Sequence, residues 1–109
     1  MDLYHTTDSN GISELYPTAE KMRELLDSLD TRGAYEAAHP DVSLVHDPSG
    51  WTLSVYPSGV VTFENFDDAD DIPRFMSGVT RNQALKLWLE LSRGEIHLVD
   101  SRPWLRNEA

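Results

Sequence analysis

The triplet Pro-Ser-Gly occurs twice in quick succession, at Pro48-Ser49-Gly50 and again at Pro57-Ser58-Gly59. Proline sets φ for the first turn position, serine tolerates the second, and glycine takes φ > 0 to restart a strand with a bulge. Two such turns flanked by apolar, alternating runs predict two hairpins that share a strand. The segments Val42–His46, Trp51–Tyr56 and Val60–Phe66 therefore predict a three-stranded antiparallel meander. Side chains alternate along a strand, so Trp51, Leu53 and Val55 face one way and Thr52, Ser54 and Tyr56 the other. Val61 and Phe63 join the buried face, while Thr62 and Glu64 look outward. A one-sided sheet of this kind requires a helical cover.

Two segments supply that cover. Met22, Leu25, Leu26 and Leu29 recur at i, i+3, i+4 and i+7, which predicts a helix over Thr18–Thr31. Thr18 serves as its cap, Glu20 suits the positive end, and Gly33 supplies a left-handed stop. Asp27 and Asp30 stand at the end where the dipole disfavours anions, at roughly 0.3–1 kcal/mol each. Arg32 is the nearby cation that offsets this. The second helix spans Arg81–Arg93, opened by a capping box of Thr80 and Gln83 and ended by Gly94. Its apolar arc, Ala84, Leu85, Leu87, Trp88, Leu89 and Leu91, is wide enough for burial on two sides.

The expected fold is one α+β domain over residues 1–109, a three-stranded antiparallel meander with two helices packed on one face. The sheet is open to extension by strands at either end. Residues 1–7 suit a short edge strand, and Ile96–Val99 suits either a short strand or a helical turn. The expected core contains Leu25, Leu29, Trp51, Leu53, Val55, Val61, Phe63, Leu85 and Trp88.

The 109 residues contain no cysteine, which excludes disulfide scaffolds, thiolate metal sites and cysteine nucleophiles. Nineteen acids against nine bases give a net charge of −10, which opposes contact with a phosphate backbone or an anionic membrane surface. The opening residues show neither a basic nor an apolar stretch, so a cytoplasmic location is the expectation. Charge is uneven: residues 1–71 hold 15 acids against 3 bases, and residues 72–109 hold 4 against 6. Such asymmetry fits an acidic binding face or complementary segments that pack on each other.

Asp67, Asp68, Asp70 and Asp71 form an acidic run without the alternation or the sixth-position glycine of a calcium loop, so it reads as a solvated loop after an edge strand. His5, His39, His46 and His97 have no metal-ligand spacing and read as surface or boundary residues, His46 beside Asp47 at a turn entrance. Ser49 and Ser58 are turn residues without the Gly-x-Ser-x-Gly elbow. The six glycines are single, so no phosphate loop is present. Met76–Val79 with Arg81 reads as a loop entering a helix in preference to an anion site. Trp104 lies in a proline-containing tail, where it either docks back on the core or anchors a partner chain. No metal or cofactor is expected.

The run from Trp51 to Asn65 resembles hairpins of small bacterial proteins, a look shared by acidic immunity proteins of toxin systems. The likeness covers that hairpin and contains no diagnostic motif. The leading expectation is a non-enzymatic module whose acidic surface meets a basic protein partner. Asp27, Asp30, Tyr56, Glu64, Asp67, Asp68, Asp70, Asp71 and Trp104 are its candidate contact residues. A structural homo-oligomer, such as a homodimer, and a small ligand-binding domain or enzyme are the alternatives.

Overall fold

A computed structural model describes residues 3–30 and 40–106. The chain is mixed α+β, but its sheet is larger than the three strands expected. Seven antiparallel strands run in the order β2-β1-β3-β4-β5-β6-β7: β1 Tyr4–Thr7, β2 Ser13–Leu15, β3 Val42–His46, β4 Trp51–Val55, β5 Val61–Asn65, β6 Arg74–Met76 and β7 Leu105–Arg106. Among the described residues the helices are α1 Ala19–Asp27, α2 Arg81–Ser92 and α3 Ile96–Asp100, with a 3-10 turn at Ser28–Asp30. The first strand is not an edge: β1 lies between β2 and β3, and β2 takes the outer position. Nor does the acidic run follow an edge strand, because β6 pairs with β5 beyond it.

Both Pro-Ser-Gly turns form. Gly50 and Gly59 sit at φ 78° and 91°, and the Gly50 and Gly59 amides donate to the carbonyls of His46 and Tyr56 at 2.8 and 3.0 Å. The shared strand β4 is registered with Leu44 and Phe63 on either side of Leu53, and with Val42 and Val61 on either side of Val55. These six side chains are at most 1% exposed and pack against Met22, Leu26, Ala84, Trp88 and Leu91 of the helices. Helices and core thus share one face of the sheet. Trp88 adds a polar tie, its indole N–H donating to the Leu53 carbonyl at 3.2 Å. Leu25, Trp51 and Leu85, expected in the core, are only partly buried at its margin.

The first helix is shorter than the periodicity suggests. Its α-helical part stops at Asp27 and a 3-10 turn carries Leu29 into the core. Thr18 caps it, its hydroxyl accepting from the Lys21 amide at 3.2 Å. Thr31, Arg32, Gly33 and His39 lie outside the described residues. α2 begins at the expected capping box, with Thr80 and Gln83 each bonded to the other's backbone amide at 3.1 and 2.9 Å. It ends one residue early, and Gly94 takes φ 74°. The ambiguous Ile96 segment is helical and places Val99 in the core.

His46 corrects the expectation of a surface histidine. It follows Val42 and Leu44 on the inner face of β3, is 5% exposed, and its Nδ1 is 2.6 Å from Ser49 Oγ. Asp47 instead faces His5, whose Nδ1 is 3.0 Å from the carboxylate. Ser49 also accepts from the Trp51 amide at 3.3 Å, so its hydroxyl is engaged within the turn.

Candidate functional site

Eight of the nine candidate contact residues fall into three settings, and Asp27 stands apart. The acidic run is the first. Asn65 Oδ1 accepts from the Asp67 amide and Asp68 Oδ1 from the Asp70 amide, at 2.9 and 3.0 Å, so two side chains build turns from within. Asp71 accepts from the Asn65 amide at 3.0 Å and lies 3.4 Å from Arg74 Nη2, with its side chain 9% exposed. The loop is also clamped to the first turn, since Asn65 Nδ2 donates to the Ser49 carbonyl at 3.1 Å. Gly50 lies directly beneath, where any Cβ would collide with the Asp67 carboxylate. Within this run, Asp67 and Asp70 keep carboxylates without a hydrogen bond or ion pair among the described residues. No group of three or more metal-ligating side chains occurs among the described residues.

Asp30 and Trp104 form the second setting, in which the side chain ties the fold together. Asp30 Oδ1 is 2.9 Å from Arg81 Nη2, and the same guanidinium donates to the carbonyls of Pro57 and Tyr56 at 3.0 and 3.4 Å. The offsetting cation therefore comes from α2. Trp104 stacks on Phe63 with ring centroids 5.3 Å apart, and Phe63 stacks on Trp51 at 4.4 Å. Its indole N–H donates to the Val99 carbonyl at 2.7 Å. Arg74 lies over the other end of this stack, 5.0 Å from Trp51 and 5.7 Å from Phe63. Asp27, in contrast, is exposed at the end of α1 with no ion pair among the described residues.

Tyr56 and Glu64 occupy the third setting, the outer face of the sheet. The register aligns Ser13, Thr7, Ser43, Ser54 and Thr62 in one row across five strands, with Phe75 and Leu105 completing it. A neighbouring row reads His5, Val45, Thr52 and Glu64. None of these residues belongs to the core cluster. Short hydroxyl side chains keep the middle of this face flat, and Thr52 and Ser54 are themselves buried. At one end Tyr56, Ser58, Val60, Thr62, Pro73, Arg74 and Phe75 line an open cleft of about 390 Å³, with the Arg74 guanidinium itself lying over Trp51 and Phe63. Asp41 precedes Val42, which pairs with Val55, so Asp41 and Tyr56 emerge side by side at the same end of the sheet.

Two titratable groups of this corner are shifted in the same direction. Partial burial, then Asp41 and Glu64, push the Tyr56 phenol above its ordinary pKa. Partial burial, then Asp71, push the Glu64 carboxyl up. Among the described residues no lysine or arginine pairs with Asp41 or Glu64. Two arginines adjoin this corner with their guanidinium groups held by other partners: Arg74, which also lines the cleft, at Asp71 and the aromatic stack, and Arg81 at Asp30 and the Tyr56 and Pro57 carbonyls. Asp41, Val60, Pro73 and Phe75 were missed in the sequence. Strand alternation marks Thr62 as outward, but Phe75 lies in a three-residue strand too short to show a period.

Comparison with protein-family models, curated proteins and solved structures gives no match for this chain.

Proposed function

We propose that this chain is a non-enzymatic binding module that engages a basic protein partner, in the manner of an inhibitor or immunity protein, through the outer face of its sheet. The observation that carries this reading is the corner at Tyr56, a residue that lines a mainly apolar cleft and feels Asp41 and Glu64, two carboxylates with no ion pair among the described residues. A flat, semi-polar centre with a charged rim has the anatomy of a protein interface. The net charge of −10 adds long-range attraction for a basic partner and raises its rate of encounter.

Affinity capture at low and high salt tests this, using the wild type, Glu64→Gln combined with Tyr56→Ala, and Asp27→Asn. The expected result is a basic protein retained at low salt, released at high salt, lost by the double variant and kept by Asp27→Asn. Equal retention by all three, or retention indifferent to salt, overturns the assignment.

Self-association is the second reading, favoured by the exposed edge at β2. All three residues of β2 are exposed, and Ile12, Leu15 and Tyr16 around it are 66%, 58% and 41% exposed. Unprotected edges pair with other strands. Symmetric pairing about Glu14 sets two carboxylates opposite each other, which is why this reading ranks second. Sedimentation of the wild type against Leu15→Lys decides it: a dimer that dissociates in the variant supports self-association, and a monomer in both removes it.

A further inference from the structure

We infer that the cleft bounded by Tyr56 and Phe75 on the outer sheet face receives an arginine side chain from an extended segment of the basic partner, its guanidinium lying between the aromatic rings and the carboxylates of Asp41 and Glu64. This inference rests on the proposed binding role and specifies what the partner presents. Four observations converge. The cleft lining is mainly apolar and carries two aromatic rings, Tyr56 and Phe75, with Ser58 and Arg74 as its polar members beside Thr62. Its volume of about 390 Å³ admits a long side chain without demanding a whole domain. Glu64 stands two residues beyond Thr62 on the same face of β5, and Asp41 stands beside Tyr56, so the register sets one carboxylate beyond the cleft lining along β5 and another on the strand next to Tyr56. This chain's own nearby guanidinium groups are committed to Asp71 and Asp30.

Arginine fits such a place better than lysine. Its planar, weakly hydrated guanidinium stacks on aromatic faces while it donates in plane to carboxylates. A lysine ammonium holds its water more tightly and offers no flat face. A second copy of this chain is the poorer occupant, because two molecules of charge −10 would bring acidic rims together.

The experiment is an amide chemical-shift titration of the whole chain, at low salt, with a peptide of alternating arginine and glycine. Lysine and citrulline versions serve as comparisons. The expected shifts centre on Tyr56, Val60, Thr62 and Phe75, with arginine binding about threefold tighter than lysine and citrulline not at all. Asp41→Asn with Glu64→Gln weakens arginine binding about tenfold, while Asp27→Asn with Asp70→Asn leaves it unchanged. All of these substitutions are at partly or fully exposed positions, and an otherwise unaltered spectrum confirms the fold. Shifts centred on residues 67–71, or a citrulline peptide that binds as well, overturn the cleft while leaving a basic partner in place. Absence of binding by both cationic peptides at low salt removes both readings. Cleft shifts that follow protein concentration without peptide make a second copy the occupant and overturn the inference.

Discussion

Asp30 changes meaning between the sequence and the fold. Read along the helix it is an anion at the wrong end of a dipole, so its removal should stabilise. In the structure it holds Arg81, which also reaches two carbonyls of the β4–β5 turn. Asp30→Asn is therefore expected to lose roughly 0.3–1 kcal/mol, a modest figure because the carboxylate is 60% exposed and screened. Arg81→Ala should lose more, about 1–3 kcal/mol, since the Pro57 carbonyl loses its donor and the Tyr56 carbonyl keeps only the Gly59 amide. Asp27→Asn, free of any such pair among the described residues, should gain a few tenths of a kcal/mol. Urea denaturation of the three variants checks this order, and a more stable Asp30→Asn would refute it.

Glu64 gives the fold a pH dependence of definite sign. Its carboxyl is raised by partial burial and by Asp71, so the folded chain holds that proton more tightly than the unfolded one. The associated stability is fully present below the ordinary carboxyl pKa and is lost as pH rises through the raised value. Glu64→Gln should accordingly melt higher than the wild type near neutral pH, and this advantage should vanish in acid. Melting curves across that range measure it, and a Glu64→Gln variant less stable at neutral pH would contradict the assigned cause.

Among the elements, α2 was legible from its ends. A capping box and a terminal glycine are local signals, and both formed. Thr80→Ala is expected to lose roughly 0.5–2 kcal/mol, read from thermal unfolding. The tail was harder to read, because β6 and β7 have three and two residues and carry no period of their own. Their place comes from the Trp51–Phe63–Trp104 stack and the Trp104–Val99 hydrogen bond. Trp104→Ala should lose about 2–4 kcal/mol, below the range for a fully buried tryptophan because this one is partly exposed. A loss under about 1 kcal/mol would mean that the tail contributes little to the core.

At the scale of the molecule, a net charge of −10 opposes its own folding. Raising ionic strength from about 0.01 to about 0.15 M shortens the screening length from roughly 30 to 8 Å, which weakens this repulsion more than it weakens short ion pairs. The melting temperature should rise over that interval. A fall would show that pairs such as Asp30–Arg81 and Glu90–Arg102 outweigh the repulsion.

What the sequence determined by itself was local: two turns that need φ > 0 glycines, the alternation that sorts Leu53 from Ser54, the caps of both long helices, and the acidic balance. Each depends on residues within a few positions of one another. The alternation even marked His46 as inward, had it been followed to the end of its strand. What only the tertiary structure decided was pairing across distance. It set β1 inside β2, brought Arg81 to Asp30 and Arg74 to Asp71, and separated acids engaged in the fold from Asp41 and Glu64, which act on Tyr56. Those outcomes follow from which faces meet and which charges meet with them, and no local period or spacing encodes that.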